Sequence, residues 1–192
     1  MIKKVLIPLA QGFEELEFIG ISDVLKRASV LSDNLEIYIS SLNKELIVSG
    51  AHGIQIKADF ILDDIEDKEF DAIALAGGFE GMSNLKANAT ILNIIKKLNS
   101  NGKIIGAICA SPIVLNEARV LKGEFTCYPG CEKMLNGVWV NKAVCVNKNI
   151  ITSAGPATAV LFGLELVKAL CGEEIYEVLY KAMLVPLLKS IN

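Results

Sequence analysis

The stretch Gly106-Ala107-Ile108-Cys109-Ala110-Ser111-Pro112 holds a thiol where a chain reverses direction. A β-type apolar run stops at Cys109, and Ser111-Pro112 offers a cap followed by a first helical residue. Small neighbours, Ala107 and Ala110, suit a sharp strand-to-helix turn that projects the sulfur outward. This is the form of a nucleophile elbow with sulfur in place of the serine oxygen. A thiol at a helix N-terminus faces unpaired N–H groups and the positive dipole end, which favour the thiolate. On spacing alone, a buried structural cysteine fits the same pattern equally well.

Two further segments carry parts that such a thiol would need. Gly77-Gly78 follows an apolar run, and glycine lets backbone N–H groups approach a ligand closely. With the N–H of Ala110, that loop can hold a developing oxyanion, although a tight turn alone explains a Gly-Gly pair. Glu14-Glu15-Leu16-Glu17 supplies carboxyl groups. Glu14 and Glu15 read as dipole partners at a helix start on a solvated face. Glu17 points elsewhere; if it faces the sheet edge, burial raises its pKa and its proton can be donated to a Cys109 thiolate. That role requires Glu17 to hold a proton.

The remaining reactive residues are fewer. The five cysteines, Cys109, Cys127, Cys131, Cys145 and Cys171, are odd in number and irregularly spaced, which argues against a disulfide framework. Cys127 and Cys131 lie close enough in sequence to begin a metal site. A closed zinc site needs four N/S ligands, and the chain has a single histidine, His52. No metal site is therefore expected, and both cysteines read as packing residues or as resolving thiols. His52 lies in a turn, where a lone histidine is ordinarily a solvent-exposed polar residue.

These segments must be held by an alternation of strands and helices. Val5 to Ala10, Leu35 to Ser41, Asp71 to Ala76, Lys103 to Ile108, Ala143 to Val146 and Ile150 to Ser153 read as strands. Helical spacing covers Glu15 to Ala28, a second segment marked by Ile91, Ile95 and Leu98, a third from Pro156, and a last one through Ile175, Val178, Leu179 and Ala182. Leu46 to Ser49 and Ile54 to Lys57 flank Gly50-Ala51-His52-Gly53 as a hairpin. Gly77 to Gly81 reads as a loop. Strands buried on both faces and spaced by helices imply a mostly parallel sheet covered on each side. Ligands in such sheets bind beyond the carboxyl ends of the strands, where Gln11 to Glu17, Gly77 to Gly81 and Cys109 to Pro112 all fall.

Composition narrows the function classes. The 192 residues are 52% hydrophobic and 21% charged, with a net charge of −3, so a disordered chain is excluded. One domain spanning 1–192 is expected at this length. Basic residues are scattered, so neither nucleic acid nor an anionic membrane is an expected partner. The N-terminal apolar run is short, broken by Pro8 and followed by acids, unlike a signal peptide. No run reaches the ~18 apolar residues of a membrane span. A soluble, cytoplasmic protein is expected.

Taken in order, Gly12-Phe13-Glu14-Glu15-Leu16-Glu17, Ala76-Gly77-Gly78, Ala107-Ile108-Cys109-Ala110-Ser111-Pro112 and Thr152-Ser153-Ala154-Gly155-Pro156-Ala157-Thr158 resemble the ThiJ/PfpI superfamily, in particular its YajL-like branch. The resemblance implies a flavodoxin-like three-layer sandwich with a small β-hairpin, and usually a homodimer. It implies that Cys109 is the reactive residue, that Glu17 is its acid partner, and that Gly78 and Ala110 supply oxyanion N–H groups beside Gly77. Many members place a histidine where this chain has Tyr128, and an arginine of some relatives falls on His52. A phenol with a reference pKa of ~10 is a poor base at neutral pH. Ala154 stands where a polar residue often precedes Gly-Pro.

Three functions follow as expectations from that resemblance. The first is protection against small reactive carbonyls, of glutathione-independent glyoxalase or deglycase type, with no cofactor. The second is a redox sensor or chaperone in which an oxidant modifies Cys109. The third is a cysteine peptidase of the PfpI type, which would need a base beside Cys109.

Overall fold

The computed structural model describes residues 2–190. Its strands in chain order are β1 (Lys3–Leu9), β2 (Leu35–Ser41), β3 (Ile47–Ser49), β4 (Gln55–Lys57), β5 (Phe60–Ile61) and β6 (Ala72–Leu75), then β7 (Ile104–Ile108), β8 (Glu124–Phe125), β9 (Val138–Trp139), β10 (Val144–Asn147) and β11 (Ile150–Ser153). The helices are α1 (Glu15–Leu31), α2 (Phe79–Ala87), α3 (Ala89–Ser100), α4 (Pro112–Glu117), α5 (Ala159–Cys171) and α6 (Glu173–Ala182).

Seven strands form one sheet in the order β10-β11-β7-β6-β1-β2-β5. Its pairs are parallel except for β10 against β11. The central strands are buried on both faces: Val5, Leu6, Ile7 and Leu9 in β1, all of β6, and Ile105 to Ile108 in β7. Continuous Val/Ile/Leu/Ala runs are what such positions demand, because every side chain meets a helix layer. One layer contains α1, α5 and α6, which pack on each other; the other contains α2, α3 and α4. The expected flavodoxin-like sandwich is therefore present, and β3 and β4 form the expected antiparallel hairpin.

Chain order fixes the position of the site. From β1 the chain goes outward to β2 and then returns to β6 on the opposite side of β1. The C-terminal ends of β1 and β6 thus lead away from each other, leaving a crevice between their loops. The segments 11–17 and 77–78 line that crevice, and the end of β7 brings residue 109 beside it.

Several elements differ from the sequence expectation. The first strand begins at Lys3 and ends at Leu9, and α1 runs three residues past Ala28. The Gly77 to Gly81 segment is not all loop, because α2 starts at Phe79. Gly81 hides the helical pattern there; it sits over the Phe13 backbone, where a Cβ would come within 2.9 Å. Short β5 and the parallel β8–β9 pair carry two residues per strand, too few for a periodic signal. Pro156–Thr158 forms a 3₁₀ turn before α5 begins. Among the described residues no helix is long and apolar enough to cross a membrane.

The α1–α5 contact depends on small residues. A Cβ on Gly163 would lie 2.8 Å from Val24 Cβ, and one on Gly20 would lie 2.6 Å from Ala159 Cβ. Val24 is β-branched and cannot swing aside cheaply. Gly163→Ala should therefore destabilise by about 1–2 kcal/mol, although alanine is the better helix former. Urea denaturation checks this; an increased midpoint would show that the two helices can separate freely.

Candidate active site

Cys109 is the first residue after β7, and its backbone is left-handed with φ 62°. A non-glycine residue held there costs on the order of 1–3 kcal/mol, so its surroundings must enforce it. They do so from both sides. The Cys109 N–H donates to Ser153 O at 2.9 Å, and the Tyr128 N–H donates to Cys109 O at 2.8 Å. Ser111 closes the turn, its N–H donating to Ile108 O at 3.0 Å and its Oγ donating to Ala76 O at 2.6 Å. The elbow expected from the sequence is thus formed, and Ser111 stands at the N-cap position of α4, but its side chain makes no capping bond. Its backbone is already helical, and its hydroxyl ties the elbow to the end of β6.

The Gly77-Gly78 loop passes directly over the thiol. Gly78 has φ 85°, and any side chain there would strike the Gly12 carbonyl. A Cβ on Gly77 would lie 2.7 Å from both Cys109 Cβ and Glu17 Oε2. Only glycine permits three backbone segments and two functional groups to converge this closely. The N–H groups of Gly78 and Ala110 face the Cys109 sulfur and favour its anion.

Glu17 is fully buried, in the first turn of α1, and its Oε2 accepts the Gly77 N–H at 2.6 Å. The carboxyl faces the Cys109 thiol. Its Oε1 is buried without a hydrogen-bond partner of ordinary geometry. A lone oxygen in that position is expensive when ionised. Burial accordingly pushes Glu17 up to about 7, against the lowering effect of Cys109 and the Gly77 N–H.

The thiol moves the same way. Cys109 is 6% exposed. Burial, and then the Glu17 carboxylate, push its pKa up, opposed by the Gly78 and Ala110 N–H groups. The N–H groups expected to favour the thiolate do act in that direction, but α4 has six residues and desolvation outweighs them. Two buried acids share the site, and neither ionises freely while the other is charged. A sulfur anion requires its proton to pass to Glu17 or a ligand.

Glu14 and Glu15 are buried rather than solvated, contrary to expectation. Glu14 caps α1, its Oε2 accepting the Glu17 N–H at 2.8 Å. Glu15 Oε2 lies 2.7 Å from His52 Nδ1, and Oε1 accepts the His52 N–H at 2.6 Å and the Ile54 N–H at 3.3 Å. Burial raises the Glu15 pKa, but hydrogen bonds from His52 and from the Glu15 and Ile54 N–H groups together outweigh it and leave the carboxyl below its ordinary value. The same contact raises His52, whose side chain is 70% exposed. His52 therefore fastens the hairpin to α1. Glu14, Glu15 and His52 also form a group whose ligand atoms lie within 4.8 Å of one another, close enough for a cation. Those atoms already pair with each other.

Tyr128 follows its backbone contact with Cys109, and its ring packs edge-to-face on Phe79 with centroids 6.2 Å apart. Phe79, which sequence reasoning left in a loop, opens α2 immediately after Gly78. Cys127 and Cys131 are buried on either side of the Tyr128 turn. Burial, then Cys131 and Glu132, push Cys127 up to about 12, and burial raises Cys131. Both are poor nucleophiles as placed.

The DJ-1/PfpI family model matches residues 3–169, which contain every residue of this site. The chain belongs to the DJ-1/PfpI family. It is 36% identical over 185 residues to DJ-1 homolog B of Arabidopsis thaliana, covering 95% of this chain but 41% of that relative. It spans about two fifths of the length of that plant protein. It is 34% identical to DJ-1beta of Drosophila melanogaster, whose crystal structure superposes with a TM-score of 0.90 over 96% of this chain and 98% of that one. A protein named as a deglycase from Pyrococcus horikoshii is 36% identical over 171 residues, covering 87% of this chain and 99% of that relative. The architecture common to DJ-1/PfpI proteins thus extends over almost the whole chain.

The Glu17 environment has a measurable consequence in this DJ-1/PfpI chain. Its folded pKa of about 7 exceeds the ordinary 4.5, so between those values the folded state binds the extra proton. Stability contributed by the protonated form is present at low pH and is lost as pH rises through about 7. Glu17→Gln keeps an acceptor for the Gly77 N–H without the charge. Relative to wild type, this variant should gain on the order of 3 kcal/mol between pH 4 and pH 8. Denaturant titrations at both pH values test this, and an unchanged difference would mean that Glu17 is not the group that feels burial.

Proposed function

We propose that this protein protects against small reactive carbonyls, acting on α-oxoaldehydes as a glutathione-independent glyoxalase or on their early amine adducts as a deglycase. The observation that carries this reading is the buried Glu17 Oε1, without a partner, beside a thiol on a strained elbow. A carboxyl titrating near neutrality is matched to moving protons between carbon and oxygen, and its neighbour is matched to covalent catalysis.

The reaction balances without a cofactor. The Cys109 sulfur attacks the aldehyde carbon as its proton passes to Glu17. A C–S bond forms, and the carbonyl π pair moves to an oxygen that accepts the Gly78 and Ala110 N–H groups. Glu17 then returns the proton to the ketone oxygen and, as a carboxylate, removes the hydrogen from the thiol-bearing carbon. The resulting enediol is reprotonated on the adjacent carbon, giving a thioester. Water cleaves the C–S bond, releasing a 2-hydroxy acid and the free thiol. The net change is addition of one water to the α-oxoaldehyde.

The relatives named as deglycases support the same chemical class. The peptidase reading lacks its base, because His52, the single histidine, is committed to Glu15. A redox reading has one specific support: the N–H groups on the Cys109 sulfur would also hold the oxygens of a sulfinate. A cytoplasmic homodimer acting on a small molecule completes the proposal. Leu16 and Ile19 on α1 and Ile54 on the adjoining hairpin are exposed apolar side chains of the kind a second copy would cover. Leu16→Asp should convert a dimer to monomer in sedimentation velocity; a monomeric wild type would remove the dimer.

Lactate formation from methylglyoxal, measured without glutathione, tests the main reading. Cys109→Ala should abolish it, and Glu17→Gln should lower kcat by about 10²–10⁴-fold. Wild-type protein that makes no lactate but gains two oxygens at Cys109 under peroxide would replace the enzyme by the redox reading.

A further inference from the structure

We propose that Phe79 and Tyr128 form an aromatic wall at the mouth of the site that selects α-oxoaldehydes bearing an aromatic substituent over methylglyoxal. This rests on the carbonyl chemistry proposed above and adds the class of side group. Both rings are placed by the residues that handle the reacting atoms. Phe79 follows Gly78, whose N–H faces the sulfur, and the N–H of Tyr128 itself holds the Cys109 carbonyl. They belong to different segments, yet their rings meet at an interplanar angle of 87°.

Their exposure is the anomaly. Phe79 is 60% exposed and Tyr128 41%, whereas Cys109 is 6% exposed. Phe79 is the first residue of α2, where a polar side chain would serve the helix as well and would leave no apolar ring in water. Gly155 borders the same ring: a Cβ there would lie 3.4 Å from Tyr128 Cδ2. Absence of a side chain at 155 keeps one side of Tyr128 uncovered.

An α-oxoaldehyde presents two ends. Its aldehyde carbon must reach the sulfur with the oxygen toward Gly78 and Ala110, so its substituent must point out of the crevice past residues 79 and 128. A methyl group would leave both rings wet. A planar aryl group can stack against one ring and meet the edge of the other, the geometry in which aromatic pairs gain most. A fivefold preference, equivalent to about 1 kcal/mol, is the expected scale.

The test separates this proposal from the reaction it rests on. In the first arm, kcat/KM is measured for phenylglyoxal, giving mandelate, and for methylglyoxal, giving lactate. The aryl-to-methyl ratio should be at least fivefold in wild type, fall toward one in Phe79→Ala, and be kept by Phe79→Trp. The second arm needs no turnover. Cys109 is alkylated with 2-bromoacetophenone or bromoacetone, each rate being divided by that of free cysteine. The normalised ratio should again exceed fivefold and collapse in Phe79→Ala. Turnover without aryl preference overturns the wall and leaves the carbonyl reaction standing. Aryl-selective alkylation without turnover keeps the wall and overturns the reaction. Equal ratios in wild type and Phe79→Ala in both arms overturn the wall outright.

Discussion

The contact between Cys109 and Glu17 is the constraint around which the fold is arranged. Two acidic groups in a dry crevice repel when both are charged, so they hold a proton between them. Everything adjacent serves to keep them there despite that cost. Ser153 and Tyr128 clamp the backbone of Cys109 in a left-handed conformation, Ser111 ties the elbow to β6, and Gly77 holds one carboxylate oxygen. Those restraints come from β11, the Tyr128 turn, β6 and α1, which are distant in sequence. The site is therefore a property of the assembled sheet and could not survive in a fragment of it.

The doubly wound topology makes that convergence possible. At the crevice between β1 and β6, the chain presents the start of α1, the Gly-Gly loop and the elbow on one edge. Hydrogen bonds across the crevice then fix the loops: Glu14 N–H to Gly77 O at 3.0 Å, and Gly81 N–H to Gly12 O at 3.1 Å. Their geometry demands glycine at both 77 and 78. The hairpin is joined to the same edge through Glu15 and His52, and through the Phe13–Gly50 bridge. Buried charge at Glu15 is tolerable because two backbone N–H groups and an imidazole meet it, whereas Glu17 has one N–H donor and a facing thiol. Two carboxyls two residues apart consequently move in opposite directions, one below and one above the ordinary range.

Much of this was legible in the residues, and the failures have physical causes. The buried parallel strands announce themselves as apolar runs, and Cys109, Gly78 and Glu17 fall just beyond strand ends that the topology brings together. Burial of Glu14 and Glu15 was not legible, since it depends on a hairpin some 35 residues away that no local pattern connects to α1. The start of α2 was hidden by Gly81, whose small size is required by the Phe13 backbone rather than by the helix. Ser111 beside Pro112 has the form of a cap, yet its hydroxyl finds a stronger partner in Ala76 O. The balance of the thiol pKa was also out of reach. A sequence reveals the N–H groups at a helix start, but the opposing desolvation depends on how completely the sheet and loops enclose the sulfur.

That balance bears on what the site can do. An enzyme that hydrolyses peptides must protonate a poor amine leaving group while keeping its nucleophile ionised, which is commonly arranged with an imidazole beside the thiol. Here the single histidine is held by Glu15, and the group facing Cys109 that titrates near neutrality is the Glu17 carboxyl. In the α-oxoaldehyde reaction proposed above one shared proton suffices, because no amine has to leave there and the proton returned to the substrate is the one the thiol surrendered. It is insufficient for an amide. On the reading proposed above, a site without an imidazole beside its thiol is matched to reactive carbonyls, and the match is one of proton count rather than of shape.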